Sequence, residues 1–271
     1  MVNGSGILVE SILIRSGFLK RNVKIDLYQL ADPANSSELP LLLINDGQDM
    51  ENLGLRSLLD ELCLDKKTIR PLLCAAIHCG PERKREYGIA AEPDYKGRGD
   101  KAAQYTSFVL QELMPVLHAK FKVVRITEYA FAGFSLGALS AMDIAWNNPS
   151  LFSKTGLFSP SLWWRSVDQN DPAYNDDQHR IMQQQVRRSR YTPALKFFFQ
   201  CGNLDETRDR NKNGIIDSID DTLDLIKELE QKGYSKQKDI HYLELTDGRH
   251  DVTTWGRAMP VFLKWGFSNG Q

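Results

Sequence analysis

From Leu41 to the C-terminus, short β-prone runs alternate with helical patterns, and that alternation leaves few folds open to the chain. Strand patterns fall at Asn22–Leu30, Leu41–Ile44, Leu72–Ile77, Glu128–Phe134, Thr155–Phe158, Leu195–Gln200 and Ile240–Leu245. Between them, Leu53–Leu62, Ala102–Leu117, Leu136–Trp146, Gln178–Arg188, Thr222–Gln231 and Val252–Trp265 place apolar residues three and four apart, as helices packed on a sheet do. Strands joined through helices run parallel and need cover on both faces. The expected architecture is therefore α/β: a mainly parallel central sheet with helices on both faces, an antiparallel strand or two at the N-terminal edge, and a single domain over residues 1–271.

Apolar residues at 42% and charged residues at 25% supply an ordinary buried core. A formal net charge of −1 gives no basic footprint for nucleic acid and no polybasic face for an anionic membrane, so neither is expected as a partner. Met1–Ile14 lacks a basic region followed by an unbroken apolar run, and no later segment approaches the ~20 apolar residues that span a bilayer. Cys63, Cys74, Cys79 and Cys201 contain no C-x-x-C pair and read as free thiols, which fits a cytoplasmic setting.

Two long polar stretches, Gly80–Lys101 and Gly202–Asp221, follow carboxyl ends of expected strands, where ligands bind in open α/β sheets. The chemistry centres on Gly133-Phe134-Ser135-Leu136-Gly137, a G-x-S-x-G motif. Alone the motif is weak. Here Tyr129–Ala132 reads as a strand entering it and Leu136–Trp146 as a helix leaving it, the setting of the nucleophile elbow of an α/β-hydrolase fold. The glycines admit close backbone, the turn lifts Ser135 above the sheet, and the helix start aims N–H groups at developing negative charge.

A serine hydroxyl needs a base. Of five histidines, only His250 lies between a late strand and the last helix, where this fold carries its base; His78, His118, His179 and His241 sit elsewhere in the pattern. The acid that orients the imidazole comes between Ser and His in chain order, and the loop after Phe197–Gln200 offers Asp205, with Glu206 as the alternative. For the oxyanion, Leu136 supplies one backbone N–H and the turn after Leu42–Ile44 the other, from Gln48 or else Gly47.

Together these residues resemble the Putative esterase family typified by enterochelin esterases and related feruloyl and S-formylglutathione esterases. The similar pieces are Asn45–Gln48, Arg85–Tyr87, Tyr105–Phe108 with Glu112–Pro115, the Ser135 elbow, Ser159–Trp164, Gly202–Asp205, and His250 with Trp255 and Pro260–Trp265. The resemblance runs from about Val23 to Phe267. It implies hydrolysis of carboxylic esters through an acyl-enzyme with no catalytic cofactor, acting on a small-molecule ester that the likeness does not single out. Arg83, Arg85 and Tyr87, with Trp163 and Trp164, are candidates to line the acyl or aryl pocket; a solvated charge run and core tryptophans are the alternatives. An acyltransferase on the same fold and a binding module without chemistry are the competing functions.

A second motif lies in Gly202–Asp221. Asp209, Asn211, Asn213, Asp217 and Asp220 stand at positions one, three, five, nine and twelve of an EF-hand-type loop, with Gly214 at six and the Ile215 carbonyl at seven. A structural calcium is expected there, with an Asn/Asp-rich turn that holds no ion as the alternative, since Asp220 replaces the usual Glu and no entering helix precedes the loop.

Overall fold

The computed structural model describes residues 6–31, 38–65, 67–122 and 124–269. Its centre is an eight-stranded sheet: β1 (Ile7–Arg15), β2 (Asn22–Leu30), β3 (Glu38–Asn45), β4 (Leu73–Ile77), β5 (Arg125–Phe134), β6 (Phe152–Phe158), β7 (Lys196–Leu204) and β8 (Ile240–Arg249), in the order β1-β2-β4-β3-β5-β6-β7-β8. β1 and β4 each pair antiparallel with β2, and every other neighbouring pair is parallel. The chain thus has the expected α/β-hydrolase sheet with an antiparallel N-terminal edge. β1 itself carries no alternating pattern, since most of its side chains are exposed, and this is why periodicity does not mark it.

The parallel strands are buried on both faces, so they read as apolar runs. Within them alternate residues still face opposite layers. Phe197 and Phe199 enter the layer formed by α4 (Ala102–Ser107), α5 (Met114–Lys120), α6 (Leu136–Asn147), α8 (Ile181–Arg188) and α9 (Asp217–Lys232), whereas Phe198 enters the layer under α1 (Met50–Leu53), α2 (Leu55–Leu59) and α10 (Val252–Phe267). Two further short helices are α3 (Arg83–Glu86) and α7 (Asp176–His179). No helix among the described residues is long and apolar enough to cross a membrane.

Two boundaries differ from the sequence reading in ways that matter to the site. β7 runs on to Leu204, and α9 begins at Asp217 rather than Thr222, so the loop between them is shorter than Gly202–Asp221 and its last two candidate metal ligands lie on a helix. The reason is that Ile219, Leu225, Ile226 and Leu229 bury one face of α9 against the sheet, and this packing draws the polar first turn into the helix. The Gly80–Lys101 stretch is also not structureless, because Arg83–Glu86 forms the single turn α3.

Candidate active site

Ser135 joins β5 to α6 with φ 55° and ψ −120°, a conformation a non-glycine residue rarely holds and one that stores about 1–3 kcal/mol. Its flanking glycines are sterically required. A Cβ on Gly133 would lie 2.4 Å from the carbonyl of Gly137, and a Cβ on Gly137 would lie 2.6 Å from the Asp46 carboxylate. The turn is held from several sides: Ser135 N–H donates to the Phe158 carbonyl at 2.9 Å, and the Ser135 carbonyl accepts from Ala138 N–H at 3.1 Å and Ser161 N–H at 3.2 Å. Ser135 Oγ lies 3.2 Å from Ser161 Oγ.

The turn after β3 packs directly on this elbow. Asn45 Nδ2 donates to the Gly137 carbonyl at 2.7 Å, and Tyr105 donates its hydroxyl proton to Asn45 Oδ1. Asp46, at φ 61°, is clamped by Arg83, whose Nε and Nη2 reach the two carboxylate oxygens at 2.7 Å each. Such a bidentate pair fixes geometry as well as charge. The Arg83 guanidinium also lies 5.1 Å from the Tyr87 ring centroid, and the Tyr87 hydroxyl accepts from Asp46 N–H at 3.3 Å. Gln48 braces the same turn, its Nε2 donating to Asp46 and its Oε1 accepting from Cys79 N–H at 3.2 Å. Leu136 opens α6, so its N–H has no acceptor within the helix.

Beyond β7, Gly202 N–H donates to Asp205 Oδ2 at 3.0 Å, while Asp205 Oδ1 is buried without a partner among the described residues. Burial raises the Asp205 carboxyl above its ordinary range; Gly202 N–H, the Ser159 hydroxyl and His250 pull it down. His250 sits between β8 and Asp251, which caps α10 by accepting Thr254 N–H at 2.8 Å. The His250 pKa lies below its ordinary value: burial of the imidazole away from water lowers it, Asp205 raises it, Arg83 lowers it and Asp251 raises it. Trp255 meets the His250 ring edge to face at 5.3 Å and donates its indole N–H to Ser159 Oγ at 3.0 Å. Among the described residues neither Ser135 nor Asp205 is hydrogen-bonded to His250. Glu206 instead faces Arg208, 3.6 Å away.

Asp205 and His250 border a cavity of about 400 Å³ together with Ser159, Trp163, Arg98 and Arg165. The Arg98 guanidinium stacks 4.5 Å from the centroid of Trp163 and pairs with Asp94. Three of the expected pocket residues lie elsewhere. Arg85 is engaged on the surface with Asp100 and Glu82, Tyr87 is fully buried against the Asp46 turn, and Trp164 is fully buried in the core. Trp163 does line the cavity, and Arg83 serves the turn rather than the cavity wall. Ser159 belongs to the Ser159–Trp164 piece of the family resemblance without a role of its own there, and Arg98 is singled out by no motif; both border the cavity through contacts with residues far along the chain.

In the second motif, Asp209 accepts Gly214 N–H at 2.9 Å and Asn213 N–H at 3.2 Å, and Asp220 accepts from the side-chain amides of Asn211 and Asn213. Asp217 is turned to Arg210, accepting its backbone N–H at 2.8 Å. No cluster of three or more His, Cys, Asp or Glu positioned for a metal is present among the described residues.

The sequence matches the family described as Putative esterase over residues 16–265. No curated protein matches it. Similar solved structures include the enterobactin esterase FES from Shigella flexneri with enterobactin, at 18% identity and TM-score 0.72 over 96% of this chain and 59% of that one. A ferulic acid esterase is similar at 16% identity and TM-score 0.71 over 97% and 98% of the two chains. The siderophore hydrolase EstB from Aspergillus nidulans is similar at 16% identity and TM-score 0.69 over 98% of each. At such identities the likeness is one of fold, and the chain spans about three fifths of the length of the Shigella enzyme.

Proposed function

From the premise that the chain belongs to the Putative esterase family of carboxylic ester hydrolases, we propose that it cleaves small-molecule esters through an acyl-enzyme on Ser135. Ser135 Oγ turns from Ser161 and attacks the ester carbonyl carbon while His250 takes its proton. The resulting oxyanion is held by the backbone N–H groups of Leu136 and Gln48. Collapse expels the alcohol, which leaves with the proton from His250. Water, deprotonated by the same imidazole, then releases the acid and restores the serine.

The observation that carries this reading is the buried, unpartnered Oδ1 of Asp205. An acceptor excluded from water without a donor is destabilising by about 1–3 kcal/mol, and the imidazole N–H of His250, which lines the same cavity, is the donor that would satisfy it. Asp205 rather than Glu206 is therefore the acid. The strained Ser135 backbone supports the nucleophile assignment independently.

For the substrate, the Trp163 face and the Arg98 guanidinium suit an aromatic acyl group bearing hydroxyls, in line with the ferulic acid and siderophore enzymes of similar fold. Four unpaired thiols accord with a reducing, cytoplasmic setting. Treatment with a fluorophosphonate should add one covalent mass, localised by peptide mapping to the Ser135 peptide. No adduct, or one on another serine, would sink the acyl-enzyme reading, and no adduct at all is the result a binding module would give.

We also propose that the Asp209–Asp220 loop holds a structural calcium, with Asp209, Asn211, Asn213, the Ile215 carbonyl, Asp217 and Asp220 as ligands. The support is the spacing, together with Asp209 accepting the N–H groups of positions five and six, which pulls the loop into a tight ring. Calcium is expected to raise Tm by several degrees at about 100 times its Kd, since binding only the folded state adds about 2.7 kcal/mol. A melting curve unchanged between excess EDTA and millimolar calcium would remove the proposal.

A further inference from the structure

We infer that His78, tethered by Asp26, is the wall that holds the Gly47–Gln48 turn in register with the oxyanion, an inference that rests on the Gln48 N–H assigned above. Gln48 belongs to the short helical turn Gly47–Asp49, and its N–H has no acceptor within that turn. The direction of this N–H is therefore set by whatever supports the turn from beneath.

That support comes from the end of β4 and the residues after it. A Cβ on Gly47 would lie 2.7 Å from the Ala76 carbonyl and 2.8 Å from Cδ2 of the His78 ring, so the turn rests directly on this strand and this imidazole. Next along the chain, Cys79 N–H donates to Gln48 Oε1 at 3.2 Å. Arg83 grips the first residue of the turn, Asp46, and His78 backs the second.

The imidazole is itself held. His78 Nε2 lies 2.6 Å from Asp26 Oδ2, and because a carboxylate only accepts, Nε2 carries the proton of this bond. Asp26 is buried on β2; Ser11 Oγ donates to its other oxygen, which Lys24 Nζ approaches at 3.2 Å. The main chain is fixed as well, since His78 N–H donates to the Lys24 carbonyl at 2.9 Å. The ring therefore cannot swing away from Gly47 without breaking a bond to a buried carboxylate. Tether and wall run in series from β1 and β2 through His78 to the oxyanion donor. Asp26 and His78 are positioning residues that act through the turn.

The test uses the full chain, p-nitrophenyl acetate as substrate and an aryl trifluoromethyl ketone as inhibitor. The ketone carbon bonds to Ser135 Oγ, the serine proton passes to His250, and the carbonyl oxygen becomes a hemiketal oxyanion, so Ki reads the oxyanion donors. Removing such a donor outright costs about 10²–10³-fold in kcat, and loosening one should cost roughly tenfold. His78→Ala and Asp26→Ala are each expected to lower kcat by that factor, to change KM by less than about twofold, and to raise Ki about tenfold. Because the two act in series, the double variant should be no slower than His78→Ala. Asp26→Asn keeps an acceptor for the Nε2 proton and should recover most of the loss.

Referring kcat to active sites counted by fluorophosphonate labelling removes any loss through unfolding. A merely structural role would leave Ki where it is. Wild-type kcat in both single variants, a fall in kcat with Ki unchanged, or losses that multiply in the double variant would overturn the inference. If His78→Ala does not fold, as judged by circular dichroism, Asp26→Ala decides alone by the same two measurements. A wild-type chain that does not label at Ser135 would sink the esterase reading and this inference with it. Full labelling and turnover in the wild type beside unaffected His78 and Asp26 variants would sink only the wall.

Discussion

Ser135→Ala is expected to lower kcat by roughly 10⁴- to 10⁶-fold on any ester the wild type hydrolyses, with Tm unchanged or slightly raised. Removing the nucleophile deletes the covalent route altogether, whereas residual turnover of roughly 10³–10⁴ over water survives in such sites from oxyanion stabilisation and binding. Stability should not fall, because among the described residues Ser135 Oγ makes a single hydrogen bond, at 3.2 Å with Ser161, and its backbone conformation is strained with either side chain. Steady-state kinetics beside a melting curve make the check. A loss below about 100-fold would mean that another group carries the chemistry, given that nucleophile removal is worth orders of magnitude more.

Asp221→Ala should be strongly destabilising although it lies outside the elbow. The Asp221 carboxylate is almost wholly buried and stands at the meeting point of three arginines: Arg210 Nη2 at 2.8 Å, Arg180 Nη1 at 3.1 Å and Arg165 Nη2 at 3.8 Å. Burial raises its carboxyl while the arginines pull it down. Deleting it leaves three guanidinium groups packed together with Asp176, Asp217 and Asp224 at their edges. Breaking a buried pair in this way costs about 3–5 kcal/mol, and at about 2–4 °C per kcal/mol for a chain of this size Tm should fall on the order of 10 °C. Arg165 also borders the cavity, so KM should rise alongside. A melting temperature within about 2 °C of wild type would show that the arginines find other partners, since surface substitutions stay within about 0.5 kcal/mol.

The two cases mark how far sequence reasoning reaches. Ser135 and His250 are legible as candidates because local pattern and chain order both apply to them: a glycine-flanked serine between a strand and a helix, and a histidine before the last helix. The Asp221 cluster is invisible in the same string. Its arginines come from positions 165, 180 and 210, and no spacing rule connects them. Arg83 shows the same limit at the site itself. It reads as one of several charges on a polar loop, yet it spans 37 positions to clamp Asp46 and thereby braces the turn that faces the elbow.

The pocket expectation failed at Tyr87 and Trp164 for a related reason. An aromatic residue near a motif is equally compatible with core and with cavity, and the difference lies in which neighbours surround it. Trp163 and Trp164 are adjacent in sequence and meet opposite fates, one beside Arg98 on the cavity wall and the other fully buried.

Strand and helix order, the glycine requirement at 133 and 137, and the chain order of the proposed nucleophile, acid and base follow from the amino-acid string, because each depends on backbone sterics, short-range periodicity or the order of elements. Which of Asp205 and Glu206 carries a buried orphan oxygen, what holds Ser159 in a left-handed turn, and which of Trp163 and Trp164 borders the cavity were decided by the fold alone. These are properties of packing between segments distant along the chain, and desolvation and hydrogen-bond direction exist only once those segments meet.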